Sequence, residues 1–255
     1  MLPSQLRLNG VMAKRSWLVC AVLSAALSLR AAASPAAEEA CGQIIVVSFA
    51  GATAAKVTRT KPEASARAAE LLREAQHGDF AALAAANSDA PSSAPRGGVM
   101  GTFAKSEWPE LHAALKGPLF RLAVGQIAPK LVEAPYGYVI LRRCKVDKAH
   151  GRHLLIRYAG AKNAGPEITR TREQASQLVQ SVLSGIHSEQ DFLGAIAKYS
   201  EDASRARAGD IGSPGRGRLA LAFENSLFAL KVGERSGVVE TEFGFHIIER
   251  LPDTP

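Results

Sequence analysis

An α+β fold, made twice over, is what this 255-residue chain predicts. Three internal echoes carry the prediction. Thr58-Arg59-Thr60-Lys61-Pro62-Glu63-Ala64 returns as Thr169-Arg170-Thr171-Arg172-Glu173-Gln174-Ala175. Leu119-Phe120-Arg121-Leu122-Ala123-Val124-Gly125 returns as Leu227-Phe228-Ala229-Leu230-Lys231-Val232-Gly233. Tyr136-Gly137-Tyr138-Val139-Ile140-Leu141 returns as Phe243-Gly244-Phe245-His246-Ile247-Ile248. The offsets differ by only a few residues, as loop insertions would make them. Two copies at this spacing mean tandem domains, because a solenoid needs shorter and more numerous repeats. The copies span 43–148 and 149–255. Each reads as strand, helices, short strand, helix and two strands, so each is predicted as a four-stranded antiparallel sheet with packed helices.

The second copy shows the elements most clearly. His153 to Tyr158 is the first strand. Thr171-Arg172-Glu173-Gln174 is a capping box, in which the Thr hydroxyl and the Gln side chain satisfy two free backbone N–H groups. Ala175, Leu178, Val179, Val182, Leu183 and Ile186 follow at helical spacing, and Gly185 sits where that helix should end. Ser188 opens a second helix that buries Phe192, Ile196 and Tyr199. Gly209 to Gly212 is a tight turn into a short strand. Ala222 to Leu230 is a helix that Gly233 ends, and Val238 to Thr241 and Phe245 to Leu251 are closing strands that turn near Glu242 to Gly244.

Composition is that of a globular protein, 47% hydrophobic and 22% charged. The net charge of +7 suggests nucleic-acid binding, but residues 1–33 hold Arg7, Lys14, Arg15 and Arg30 and no acidic residue. Without them an ordinary surface remains, and no nucleic-acid partner is predicted. The same stretch has the three parts of a secretion signal: Lys14-Arg15, the apolar run Leu18 to Leu29, and Ala31-Ala32-Ala33. Cleavage after Ala33 or after Ala36 fits, Met12 is an alternative start, and 34–42 is a linker. The apolar run is shorter than the ~20 residues of a membrane-spanning helix. A periplasmic or secreted protein without stable membrane insertion is predicted. Cys20 leaves with the signal, and Cys41 and Cys144 remain, an even pair for an oxidising compartment.

The second copy also carries an ordered set of motifs. Arg152-His153-Leu154-Leu155-Ile156 opens it. Ala197-Lys198-Tyr199-Ser200-Glu201-Asp202 and Gly209-Asp210-Ile211-Gly212 follow, then Phe223-Glu224, Phe228-Ala229-Leu230, Gly233-Glu234, Ser236-Gly237 and Phe243-Gly244-Phe245-His246-Ile247-Ile248. Over about 149–251 this resembles the parvulin (rotamase) family of peptidyl-prolyl cis-trans isomerases. The first copy is similar to the same family only weakly. The layout resembles exported bacterial foldases with one active and one degenerate domain.

What the resemblance implies is a reaction without covalent chemistry. Rotation about an X-Pro bond faces a barrier near ~18–20 kcal/mol. A rate gain of about 10⁴ needs only ~5.5 kcal/mol of preferential transition-state binding. No cofactor and no metal are expected. The implied prolyl slot is Ile211, Leu219 and Phe223, with Phe243 near its edge; hydropathy alone reads all four as core. His153 and His246 match the family's two histidines behind the slot, joined by Thr241 in a hydrogen-bonded network. Asp202 falls beside the substrate carbonyl, and its carboxyl is expected to titrate high because the slot is apolar. The loop 160–166 holds only Lys162, so phosphate recognition by an arginine cluster is not expected. Arg205, Arg207, Arg216 and Arg218 around the slot serve either solubility or a preference for acidic neighbours of the proline.

In the first copy Ile44, Ala90, Leu115 and Val139 stand where His153, Asp202, Phe223 and His246 do, so that copy is expected to be inactive. It binds unfolded peptide or stabilises its neighbour. The family fold would put Cys41 and Cys144 side by side, as a disulfide closing domain one. Only about ten residues separate the signal from the first strand, which leaves no room for the long helical arms of chaperone-type relatives. The implied partners are unfolded polypeptides containing X-Pro. The alternatives are a non-catalytic holdase and a processing factor for one dedicated client.

Overall fold

The computed structural model describes residues 38–53 and 56–253, so the signal-like segment and its cleavage sites lie outside the described residues. The described residues belong to one compact unit. In the first copy, β1 (Glu39–Val47) takes in the end of the stretch read as a linker. It is followed by α1 (Lys61–Ala75), α2 (Phe80–Asn87), β2 (Val99–Ala104), α3 (Ala113–Arg121), β3 (Val132–Ala134) and β4 (Gly137–Cys144). The second copy repeats the order with β5 (Gly151–Ile156), α4 (Arg172–Ser184), α5 (Glu189–Tyr199), α6 (Leu221–Ala229), β6 (Val239–Thr241) and β7 (Gly244–Arg250).

Both capping boxes form, Thr60 with Glu63 and Thr171 with Gln174. They set the start of α1 and α4 at equivalent places. Alternation along the strands then sends side chains to two faces. Ile45, Val47 and Ile140 meet α1 and α2 through Ala64, Ala68, Leu71 and Phe80. Ile44, Val46, Val139 and Leu141 meet α3 through Leu115 and Leu119. In the second copy Leu154, Ile156, Phe245 and Ile247 pack on α4 and α5, and Ile248 packs on Phe223 and Leu227 of α6.

The two sheets are not equal. The first is four-stranded, in the antiparallel order β2-β1-β4-β3, whereas the second has three strands, β5-β7-β6. Gly209 to Gly212 makes the expected turn, but the short strand it was to lead into is reduced to isolated bridges, Arg152 with Asp210 and Lys148 with Gly215. Asp210 explains this locally, because its carboxylate accepts from the Gly212 N–H at 2.6 Å and folds the chain into a turn before Pro214, which has no N–H to offer a ladder. Two further boundaries shift. The first strand of the copy lies two residues earlier than His153 to Tyr158. α6 ends at Ala229, with Gly233 (φ +83°) making the next turn instead of the helix cap.

Cys41 and Cys144 are direct cross-strand partners on β1 and β4 and form a disulfide. The sequence holds a second duplicated device that the reading above overlooked. Arg170 Nη1 donates to Glu201 at 2.7 Å and to the Arg157 carbonyl at 3.0 Å. Arg59 Nη1 does the same to Asp89 and to the Ser48 carbonyl. The repeated Thr-Arg-Thr before each helix was the available signal.

Candidate active site

β5 and β7 are neighbours, with His153 opposite Ile248 and Leu155 opposite His246. The two histidines therefore project diagonally from one face of the sheet, within reach of each other. Their rings stack at 5.3 Å, and Nδ1 lies 3.1 Å from Nδ1. His246 Nε2 is 2.8 Å from Thr241 Oγ1, and His153 Nε2 is 3.2 Å from Asp202 Oδ1. The Phe243 N–H donates to Thr241 Oγ1 at 3.1 Å.

These distances assign one direction of donation. An ionised carboxylate only accepts, so His153 donates to Asp202 from Nε2. In the neutral form of His153, Nδ1 is then an acceptor and His246 donates to it from Nδ1. That leaves His246 Nε2 to accept from the Thr241 hydroxyl, whose oxygen takes the Phe243 N–H. Every donor from Phe243 to Asp202 has one acceptor. Burial pushes His246 down to about 3, with the neighbouring His153 acting in the same direction, so this ring is neutral at pH 7.

Asp202 corrects an expectation. Its carboxyl is not raised: the His153 hydrogen bond and the Ser204 N–H, at 2.8 Å, hold it well below the usual carboxylate range against the opposing effect of burial. Asp202 also caps the turn Ala203–Arg207. It is an anion at the end of the chain of donors, not a proton source.

Phe223 floors the site. Only 4% exposed, it sets its ring edge-to-face with His153 at 5.3 Å and with His246 at 5.2 Å. Ile211 and Leu219 are half-buried beside it in the same apolar cluster. Phe243 does not join that cluster; it is half-buried at the β6–β7 turn, with Lys162 Nζ 4.9 Å from its ring centre. The structure thus brings together Ile211, Leu219 and Phe223 over the network and leaves Phe243 apart. Of the four arginines, two turn towards the first copy. Arg216 pairs with Asp147 at 2.7 Å, and Arg218 lies over Phe103 at 4.9 Å. Among the described residues, no group of three or more His, Cys, Asp or Glu is placed to hold a metal ion.

The first copy has the same register, with Val46 opposite Val139 and Ala134 opposite Gly137, as Leu155 is opposite His246 and Thr241 opposite Gly244. Its four network positions are Ile44, Val139, Ala134 and Ala90, and all are apolar. Ala134 completes that set and was not picked out in the sequence. A cavity of about 660 Å³ opens there, lined by Ile44, Val46, Ala90, Met100, Leu111 and Tyr136 among others.

A duplicated α+β domain, with a polar network under an aromatic floor in one copy, defines a protein of the tandem prolyl-isomerase type. Models of the PPIC-type PPIase domain match residues 45–145 and 140–251. The chain belongs to the parvulin family of peptidyl-prolyl isomerases, with two such domains in tandem. It is 37% identical over 196 residues to the chaperone SurA of Methylobacillus flagellatus, across 73% of this chain and 42% of that protein. It spans less than half the length of the SurA chaperones it matches. It is 36% identical over 109 residues to the putative peptidyl-prolyl cis-trans isomerase dodo of Drosophila melanogaster, across 41% of this chain and 66% of that one. Among solved structures, the peptidyl-prolyl isomerase ESS1 of Candida albicans is 30% identical, with a TM-score of 0.39, across 41% of this chain and 63% of that one.

Proposed function

We propose that the second copy accelerates rotation about X-Pro bonds in unfolded, exported polypeptides, with no covalent intermediate. The observation that carries this reading is the continuous network Thr241–His246–His153–Asp202 directly behind Phe223. The pyrrolidine ring rests on Phe223 between Ile211 and Leu219, with Phe243 at the rim. A twisted amide is less polar than a planar one, so an apolar slot favours it. The Asp202 anion lies beside the substrate carbonyl and disfavours the dipolar resonance form that keeps the amide flat. The histidines orient Asp202 and Phe223 and transfer no proton to the substrate. The first domain begins with β1 at Glu39 and gives way to the second near residue 149, after a cleaved signal.

Export is supported by the paired Cys41 and Cys144, which suit an oxidising compartment, and by the signal-like residues 1–33. Among the described residues no helix is long and apolar enough to cross a membrane. A protease-coupled assay with X-Pro peptides tests the reading. Acceleration is expected from the wild type, with kcat/KM falling at least about tenfold in His246→Ala, or ~1.4 kcal/mol of transition-state stabilisation. No acceleration with any X-Pro peptide would refute it.

The cavity of the first copy favours a second reading, a holdase. Its size suits a peptide segment, and its lining sets apolar side chains such as Ile44, Val46, Met100 and Leu111 beside polar ones such as Ser48, Asp89 and His112. Binding of proline-free unfolded chains without turnover would support that role.

A further inference from the structure

Arg96 belongs to the first copy, yet its guanidinium works in the second. It ends the 3₁₀ turn Ala94–Arg96 and donates from Nε to the Ser92 carbonyl at 3.2 Å. From Nη2 it donates to the Leu219 carbonyl at 2.6 Å, and its Nη1 lies 3.0 Å from Glu224 Oε1. Glu224 is 3% exposed and the Arg96 side chain 14%, so this pair is shielded from water. The other oxygen of Glu224 accepts from the Gly217 N–H at 2.6 Å. One planar fork therefore holds both sides of Phe223, the residue four before it and the residue after it.

Beyond the Gly217–Glu224 bond, the second copy gives the start of α6 no side-chain cap. Ala220 stands at the start of α6 and has no side chain to cap it. The loop before it lies against β2 of the first copy at backbone distance. A Cβ on Gly217, at φ +83°, would meet Gly101 Cα at 2.6 Å, and one on Gly215 would meet Thr102 Cβ at 2.6 Å. Glycine is needed at both places for the approach itself.

We propose that Arg96 is a positioning residue for the prolyl slot, so that the inactive copy completes the site of the active one. The proposal rests on the isomerase reading for its substrate. Arg96 sets Leu219 and Phe223 before the proline arrives, and its loss weakens binding more than it slows rotation.

The full chain and the probe succinyl-Ala-Ala-Pro-Phe-p-nitroanilide test it. Arg96→Ala is expected to raise KM about tenfold with kcat within about twofold, the size of one lost hydrogen bond from a charged donor. Arg96→Lys restores the charge facing Glu224 and most of the lost Tm. One ammonium cannot serve Glu224 and the Leu219 carbonyl in the fixed geometry of the fork, so KM stays raised. Asp147→Ala breaks the exposed pair with Arg216 between the same two copies and leaves KM unchanged. The proposal is overturned if Arg96→Ala keeps the wild-type KM, or if KM in Arg96→Lys recovers in step with Tm. Should the wild type show no turnover, the isomerase reading fails alone. Arg96 is then judged on the probe's dissociation constant by NMR titration, which the alanine variant must weaken by a similar factor.

Discussion

Ile44 and Val139 hold, in the first sheet, the places that His153 and His246 hold in the second. The strands keep one register through these positions, and both copies retain the capping box and the Arg–carboxylate clasp. Only the face towards α3 or α6 differs. In the first copy that face is hydrocarbon beside a cavity, and in the second it is four polar side chains that satisfy one another. The opposite face, where α1 and α2 or α4 and α5 pack, keeps an apolar core in both copies whichever set lies on the other side. A buried polar network of this kind is acceptable only when every member has a partner.

The comparison can be broken or sharpened by four measurements. The largest effect should come from the disulfide, which closes the first copy alone. Cys41→Ser with Cys144→Ser is expected to cost about 2–4 kcal/mol, read from urea unfolding with probes in each copy. An equal loss reported by second-copy probes would mean that the copies unfold as one.

Acid should then separate the two copies. His246 is held neutral in the fold at about 3, against 6.5 unfolded, so between these values the unfolded chain binds one more proton. Stability falls as pH drops through that window, by up to about 1.4 kcal/mol per unit. Asp202, with its folded value depressed, adds a further loss below about 4 as the carboxylate is neutralised. Urea midpoints at pH 7, 5.5 and 4.5 should fall for the wild type and fall less steeply in His246→Leu, where His112 of the first copy is still held low by burial. An unchanged slope in that variant would place the titration elsewhere.

Grafting tests the same face in the first copy. Ile44→His with Val139→His puts imidazoles where Ala134 and Ala90 offer no partner, at a cost of about 1–3 kcal/mol for each unsatisfied group and with no gain in turnover. A stable, active double variant would show that Thr241 and Asp202 are dispensable to the network. The smallest change is Thr241→Val, which removes the donor to His246. About 1 kcal/mol of stability should go, and the imidazole proton signals of both histidines should shift. Unmoved signals would contradict the direction of donation assigned above.

Much of this was legible in the chain. The duplication, both capping boxes, the helices and the closing strands depend on residues a few positions apart, and local rules reach that far. His153, Asp202, Thr241, His246, Ile211, Leu219 and Phe223 were legible as a set through their order along the chain, although hydropathy by itself reads Phe223 as core. The short strand expected after the Gly209 to Gly212 turn was misjudged because the Asp210 carboxylate takes the Gly212 amide and Pro214 has no amide to offer. Asp202 was misjudged because burial and a histidine donor act in opposite directions, and only their distance decides which prevails.

Sequence alone therefore determined what repeats and where the capped helices begin, because periodicity and caps are written within a turn or two of chain. Tertiary structure decided which way the hydrogen bonds run, that Asp202 is an anion, and that Arg96 reaches a carbonyl 123 residues away. Those outcomes rest on distances between groups far apart in the chain, and the order of residues does not encode such distances until the sheets have formed.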